Sequence, residues 1–326
     1  MRLARLALAA ALLAGSAQAA TPGFHVIDRI AAPDGGWDYV SVDAAHDRAL
    51  IARRTTVTAV DLKTKAVTPE FATASRGHTA LAVNDGKEVL ITNGSADTAV
   101  FVDAMTGATI ASVATGKGPD AATVDPRSGL LLIMDHAGGE VTLIDPKTHT
   151  AVASIPVEGK LEGAAVDGAG RAFVNVEDKN QIAVIDLAAH KVVARYALPG
   201  CDGPTGIVDA GGKLAAACDG AVVLVDPKTG KVLQTAKTGG GADGIAYDPA
   251  HKRLFVPAGD AGNLAVFSLV GDKLKLEETI PTEVGARTIA FDPASGHALL
   301  PSAQMAMTNG KRTATPGTFH LLVVGQ

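Results

Sequence analysis

Residues 141–155 read VTLIDPKTHTAVASI, and residues 222–236 read VVLVDPKTGKVLQTA. The same phrase appears as VTAVDLKTKAVTPEF from Val57, AVFVDAMTGATIASV from Ala99 and IAVIDLAAHKVVARY from Ile182. Its aspartates stand at Asp61, Asp103, Asp145, Asp186 and Asp226, with Ser268 in the next slot, so the spacing is 40 to 42 residues. A fixed period of this size marks a repeat architecture. The step from DP to TG has hairpin chemistry: proline presets one φ, glycine supplies a positive one, and aspartate caps the turn with its own side chain. The repeated aspartates therefore read as turn residues before they read as a site.

Working outward, each unit opens on a short segment such as GWDYVSVD at 36, GHTALAVN at 77 or GPDAATVD at 118. A second apolar run follows (RALIAR, EVLITN, LLLIMD), then the aspartate phrase, then a fourth run such as AVASIPV. Runs of four to seven β-branched and small residues between Gly, Asp, Pro and Asn are strands, four to each unit. Four-stranded units at this period predict an all-β, seven-bladed β-propeller. The openings fall at Gly36, Gly77, Gly118, Lys160, Gly203, Gly241 and Gly285. The seventh unit lacks a strand, and Phe24–Ile30 precedes the first without a partner. The expectation is closure by pairing N- and C-terminal strands in the last blade, which leaves no free sheet edge at the join.

Residues 1–19 read as a secretory signal peptide: Arg2 and Arg5, an apolar run too short to span a bilayer, and the small-residue cleavage site Ala17-Gln18-Ala19. The propeller would then occupy 20–326, the destination would be periplasmic, and no transmembrane segment is expected. The formal charge is −5, with one Trp and three Tyr and no cluster of basic residues, which excludes an electrostatic footprint for nucleic acid. Cys201 precedes blade five and Cys218 ends that blade's second strand; the hairpin register puts Cys218 opposite about Pro204. In an oxidising compartment this suits a disulfide, the alternative being two buried thiols.

The stretch Val89–Pro126, with Ile91-Thr92-Asn93, resembles the forty-residue YVTN β-propeller repeat, a WD40/YVTN repeat-like unit. With its leader the whole chain is similar to exported YncE-like proteins. The resemblance implies the propeller fold but is carried by scaffold residues, and a propeller hosts binding modules and enzymes alike. Only Pro119 and Pro204 keep the proline that usually opens the family's repeat.

In a propeller, the start of each inner strand and the loop between strands two and three lie on one face, around the mouth of the central channel. The third position of each opening reads Asp38, Thr79, Asp120, Glu162, Thr205, Asp243 and Arg287. Trp37 and His78 stand beside them, and the loop ends add Arg53, Asn93, Asp135, His136, Glu177, Asp219 and Gln304. A ligand site is therefore expected from Trp37, Asp38, His78, Asp120, Glu162, Asp243 and Arg287. The carboxylates Asp38, Asp120, Glu162 and Asp243 would suit a divalent cation, Ca2+ or Mg2+, while His78 and His136 would suit a transition metal. The bland alternative is a solvated polar cap. No GxSxG, HExxH or phosphate-loop motif is present, so catalytic residues stay unassigned. The expected role is a monomeric binding module for a small molecule or protein partner, the alternative a metal-assisted lactonase-type hydrolase. The long segment 302–317 ends on the same face, where it would serve as a lid or simply as a mobile loop.

Overall fold

The computed structural model describes residues 23–326, so the leader expected at 1–19 lies outside the described residues. These residues form seven four-stranded antiparallel sheets and one two-stranded hairpin. Blade one comprises Trp37–Asp43, Arg48–Arg53, Thr56–Asp61 and Val67–Thr73, and the same plan repeats through blade six, which ends with Lys273–Pro281. No described helix is long and apolar enough to cross a membrane.

The turn chemistry behaves as the repeated phrase requires. Asp61 Oδ1 accepts the amides of Lys63 and Thr64 at 2.9 and 2.7 Å, and Asp103, Asp145, Asp186 and Asp226 each accept the amide two residues on. Four residues after each aspartate the backbone turns left-handed, at Lys65, Gly107, His149, His190 and Gly230. At Gly107 a Cβ would sit 1.7 Å from the Phe71 carbonyl oxygen, so only glycine fits there.

Blade seven is built from both ends of the chain, in the order Ala290–Asp292, His297–Ser302, His320–Gly325 and His25–Ala31. The last two strands pair antiparallel from His25 opposite Gly325 to Ala31 opposite His320. The core is distributed as seven apolar clusters, each filling the seam between two neighbouring blades. The seam between blades seven and one holds Ile30, Leu299, Phe319 and Leu321 against Val40, Ile51 and Val60, so the terminal strand helps seal the ring. Cys201 and Cys218 form a disulfide with a Cα separation of 5.2 Å. It pins the loop that leads into blade five, whose inner strand, Ile207–Asp209, has only three residues.

Candidate functional site at the channel mouth

In blades one to four, the inner strand slips by one residue against its neighbour just where it reaches the mouth. Trp37 faces Arg53 and the next pair is Val40 with Ile51; the same shift falls between Gly77 and Ala80, Pro119 and Ala122, and Leu161 and Ala164. Such bulges bend a strand and re-aim its side chains. They carry Asp38 and Tyr39, His78 and Thr79, Asp120, and Glu162. In blades five to seven the inner ladder begins later, and backbone takes over the rim. Gly163 N donates to Thr205 O, and Asp243 N donates to Arg287 O, both at 3.1 Å.

The channel behind the mouth, about 210 Å3, is lined from all seven blades. Tyr39 crosses it and donates to Glu162 Oε2 at 3.3 Å, from blade one to blade four. The equivalent positions hold Ala80, Ala121, Gly163, Gly206, Gly244 and Thr288, small residues that leave space for one phenol. At Gly206 backbone crowding adds a second reason, since a Cβ would meet the Gly244 carbonyl carbon at 2.7 Å.

The sequence-derived residues assemble into three groupings. His78 stands between two carboxylates: its Nδ1 is 2.6 Å from Asp38 Oδ2 and 3.4 Å from Asp120 Oδ2. Gly94 makes room for the imidazole, because a Cβ there would lie 2.7 Å from His78 Nε2. His136 Nδ1 is 2.9 Å from Glu162 Oε1, with Glu177 completing a second close trio. Arg287 donates from Nε to Asp243 Oδ2 at 2.7 Å and lies 3.5 Å from Asp38 Oδ1. The four carboxylates thus do not share one centre. Asp38 and Asp120 flank His78, Glu162 faces His136, and Asp243 faces Arg287, which Asp38 also approaches.

Trp37 packs on Phe319 with ring centroids 5.2 Å apart, and its indole N–H is buried without an acceptor. Its carbonyl accepts from Arg287 at 3.2 Å. Thr79 and Thr205 donate their hydroxyls to backbone, to the carbonyls of Asp120 and Ala242. Of the loop ends, His136 and Glu177 reach the mouth groups, whereas most of the others are scaffold. Arg53 lies over Phe319 and donates to Gly36 O; Asn93 and Asp219 accept the amides of Ser75 and Gly241; Asp135 accepts from Thr142. The segment 302–317 forms a hairpin, Met305–Thr308 with Lys311–Ala314, standing on the mouth face. Sequence reasoning passed over Tyr39, although a lone aromatic at a position otherwise held by Gly, Ala and Thr was a usable signal.

Electrostatics follow from this crowding. Burial raises the Asp120 carboxyl to about 7; His78 opposes the rise and the charges of Asp38 and Glu162 support it. Burial and the Asp38 charge raise Asp243 to about 7 despite Arg287. For His78 burial works against the charged form, but the hydrogen bond to Asp38 and the two carboxylate charges win, so it titrates above its ordinary value. The Glu162 hydrogen bond does the same for His136. Burial first, then the surrounding carboxylates, hold Tyr39 well above the usual phenol range, so it remains a hydrogen-bond donor.

Chemically, Asp38, His78 and Asp120 present O, N and O donors that converge within 4.8 Å of one another. Imidazole with carboxylates is a donor set of borderline hardness, suited to divalent ions such as Zn2+ or Mn2+.

No protein-family model matches this sequence, and no curated protein matches it. Among solved structures, the chain is similar to a virginiamycin B lyase from Staphylococcus aureus, with TM-score 0.72 and 14% identity over 93% of this chain and 100% of that one. It is also similar to a chain of the Kuenenia stuttgartiensis hydrazine synthase, with TM-score 0.68 and 17% identity over 86% of this chain and 95% of that one. A chain of a mitotic checkpoint complex aligns over 99% of this chain and 98% of its own, with TM-score 0.76 and 12% identity. These likenesses at low identity show one thing, the β-propeller fold.

Proposed function

We propose that this is an exported, periplasmic, YncE-like propeller that acts as a binding module, and that a divalent transition-metal ion held by Asp38, His78 and Asp120 organises its mouth. The observation that carries this reading is His78 Nδ1 placed between two carboxylate oxygens from the neighbouring blades. Blade one supplies Asp38, blade two His78 and blade three Asp120, so a bound ion would link three blades. In the ion-free protein a proton on His78 does part of that work, and an ion would replace it.

A thermal-shift screen of chelator-treated protein with Zn2+, Mn2+, Ca2+ and Mg2+ tests the reading. A saturable rise in Tm with Zn2+ or Mn2+ is expected, larger than with Ca2+ or Mg2+, and absent from the Asp38→Asn plus Asp120→Asn variant. An undiminished rise in that variant would place the ion elsewhere.

A second reading, a metal-assisted lactonase-type hydrolase, draws support from one feature. Glu162, which accepts from the protonated Tyr39 hydroxyl at 3.3 Å, lies next to the trio of Asp38, His78 and Asp120 without belonging to it. A bound ion would polarise the lactone carbonyl. The water oxygen would bond to the carbonyl carbon as Glu162 takes its proton, the ring C–O bond would break, and Glu162 would return that proton to the departing alkoxide, leaving the open hydroxy acid. Ring opening of a lactone panel, lost on chelation and in a Glu162→Gln variant that still binds the ion, separates this reading from simple binding.

A further inference from the structure

Beside the acidic half of the mouth, the hairpin 305–314 borders a second, solvent-open cleft of about 560 Å3, within the range of small-molecule sites. Its walls include the Trp37 ring and the Met305 side chain, together with Arg54, Arg287 and Arg312. In a chain with more acidic than basic residues, three arginines around one cavity reverse the local charge. Asp34 is the carboxylate in that lining, and it is occupied by the amides of Gly317 and Phe319. Arg287 is held by Asp243 and Asp38, Arg312 only by exposed Asp260, and Arg54 by no carboxylate among the described residues. Ion pairs as exposed as Arg312 with Asp260 are weak, which leaves Arg312 free to turn toward a ligand.

We propose that this cavity binds an aromatic carboxylate. Trp37 and Met305 offer an apolar slot for a flat ring, as aromatic and thioether surfaces favour. Arg54 and Arg312 offer planar forks that match a carboxylate. The adjoining space shares Arg287, Arg312 and Met305 with this cavity and adds the carboxylates Asp243 and Asp260, so a singly charged group is favoured over a phosphate dianion. The site rests on the mouth being a binding face and is independent of the cation.

Trp37 is the only tryptophan in the chain, so nitrogen-15-labelled protein gives a single indole N–H resonance from a ring that lines this cavity. The experiment titrates 1-naphthaleneacetate into chelator-treated protein, with 1-naphthaleneacetamide as the uncharged counterpart and 1-naphthyl phosphate as the dianion. A saturable shift of the indole resonance is expected with the carboxylate, at least tenfold weaker binding with the amide, and weaker binding with the phosphate. The Arg54→Ala plus Arg312→Ala variant should keep the unliganded resonance in place and bind the carboxylate at least tenfold more weakly. No saturable shift, equal affinity for acid and amide, tighter binding of the phosphate, or a variant that binds like the wild type would each overturn the proposal. Because chelator is present throughout, failure of the cation reading leaves this result untouched.

Discussion

His78 joins Asp38 and Asp120, two of the acids of the mouth, into something more specific than a polar ring. The repeat position picks out Asp38, Asp120, Glu162, Asp243 and Arg287 as equivalent places, and that much is legible in the spacing alone. Their division into separate pairings is not, because it depends on a one-residue bulge in each of four inner strands and on the space Gly94 leaves for an imidazole. A consequence concerns pH. Asp120, Asp135 and Asp243 are raised from an ordinary 3.8 to about 7, so the folded protein holds protons that the unfolded chain releases between those values. Linkage then makes stability fall as pH rises through that window. His78 and His136, raised above 6.5, stabilise below that value and lose the contribution as pH climbs through their folded values, which is the same direction. The turn aspartates Asp61, Asp103 and Asp226 are lowered and act only in acid. Without divalent ions, Tm should therefore drop by several degrees from pH 5 to pH 8. Asp120→Asn should soften that drop and raise stability at pH 8 by about 1–2 kcal/mol. Thermal melts across pH check both, and a Tm that rises over the range would contradict the assignment.

Among the elements, the strand pattern was the most readable part of the chain, since alternating short runs and Asp-led turns specify hairpins almost by themselves. The expected partner of Phe24–Ile30 follows from counting strands, and the pairing of His25–Ala31 with His320–Gly325 agrees with it. Phe24 and Ile30 are both buried, Phe24 edge-on to Phe255 at 5.3 Å between centroids. Removing residues 23–31 would strip blade seven of its outer strand and expose the edge at 320–325. Size-exclusion chromatography should then show association, where the full chain runs as one species. The disulfide closes a short loop, with Cys201 and Cys218 separated by 17 positions. Replacing both by alanine should cost about 2–3 kcal/mol in urea unfolding. A cost near zero would mean that the loop into blade five is held by its packing. The hairpin at 305–314 was visible only as excess length, because its strands lack the apolar alternation that marks the blades.

At the scale of the whole molecule, closure gives the site its character. Seven blades bring side chains from distant parts of the sequence to one mouth, so Asp38, His78 and Asp120 meet across three blades and Tyr39 reaches Glu162 across the channel. No local motif could announce such a site, and the ring has to be built before its residues can be paired. Protons compete for the same donors, so the affinity for Zn2+ should increase at least tenfold from pH 6 to pH 8. Titration calorimetry at the two values reads this, and tighter binding at pH 6 would contradict it. The most direct measurement is an anomalous difference map from crystals soaked with Mn2+ or Zn2+. The expected result is a single strong peak at the mouth, within coordination distance of Asp38, His78 Nδ1 and Asp120. A map with no peak there, or with its strongest peak at other residues, would contradict the assignment.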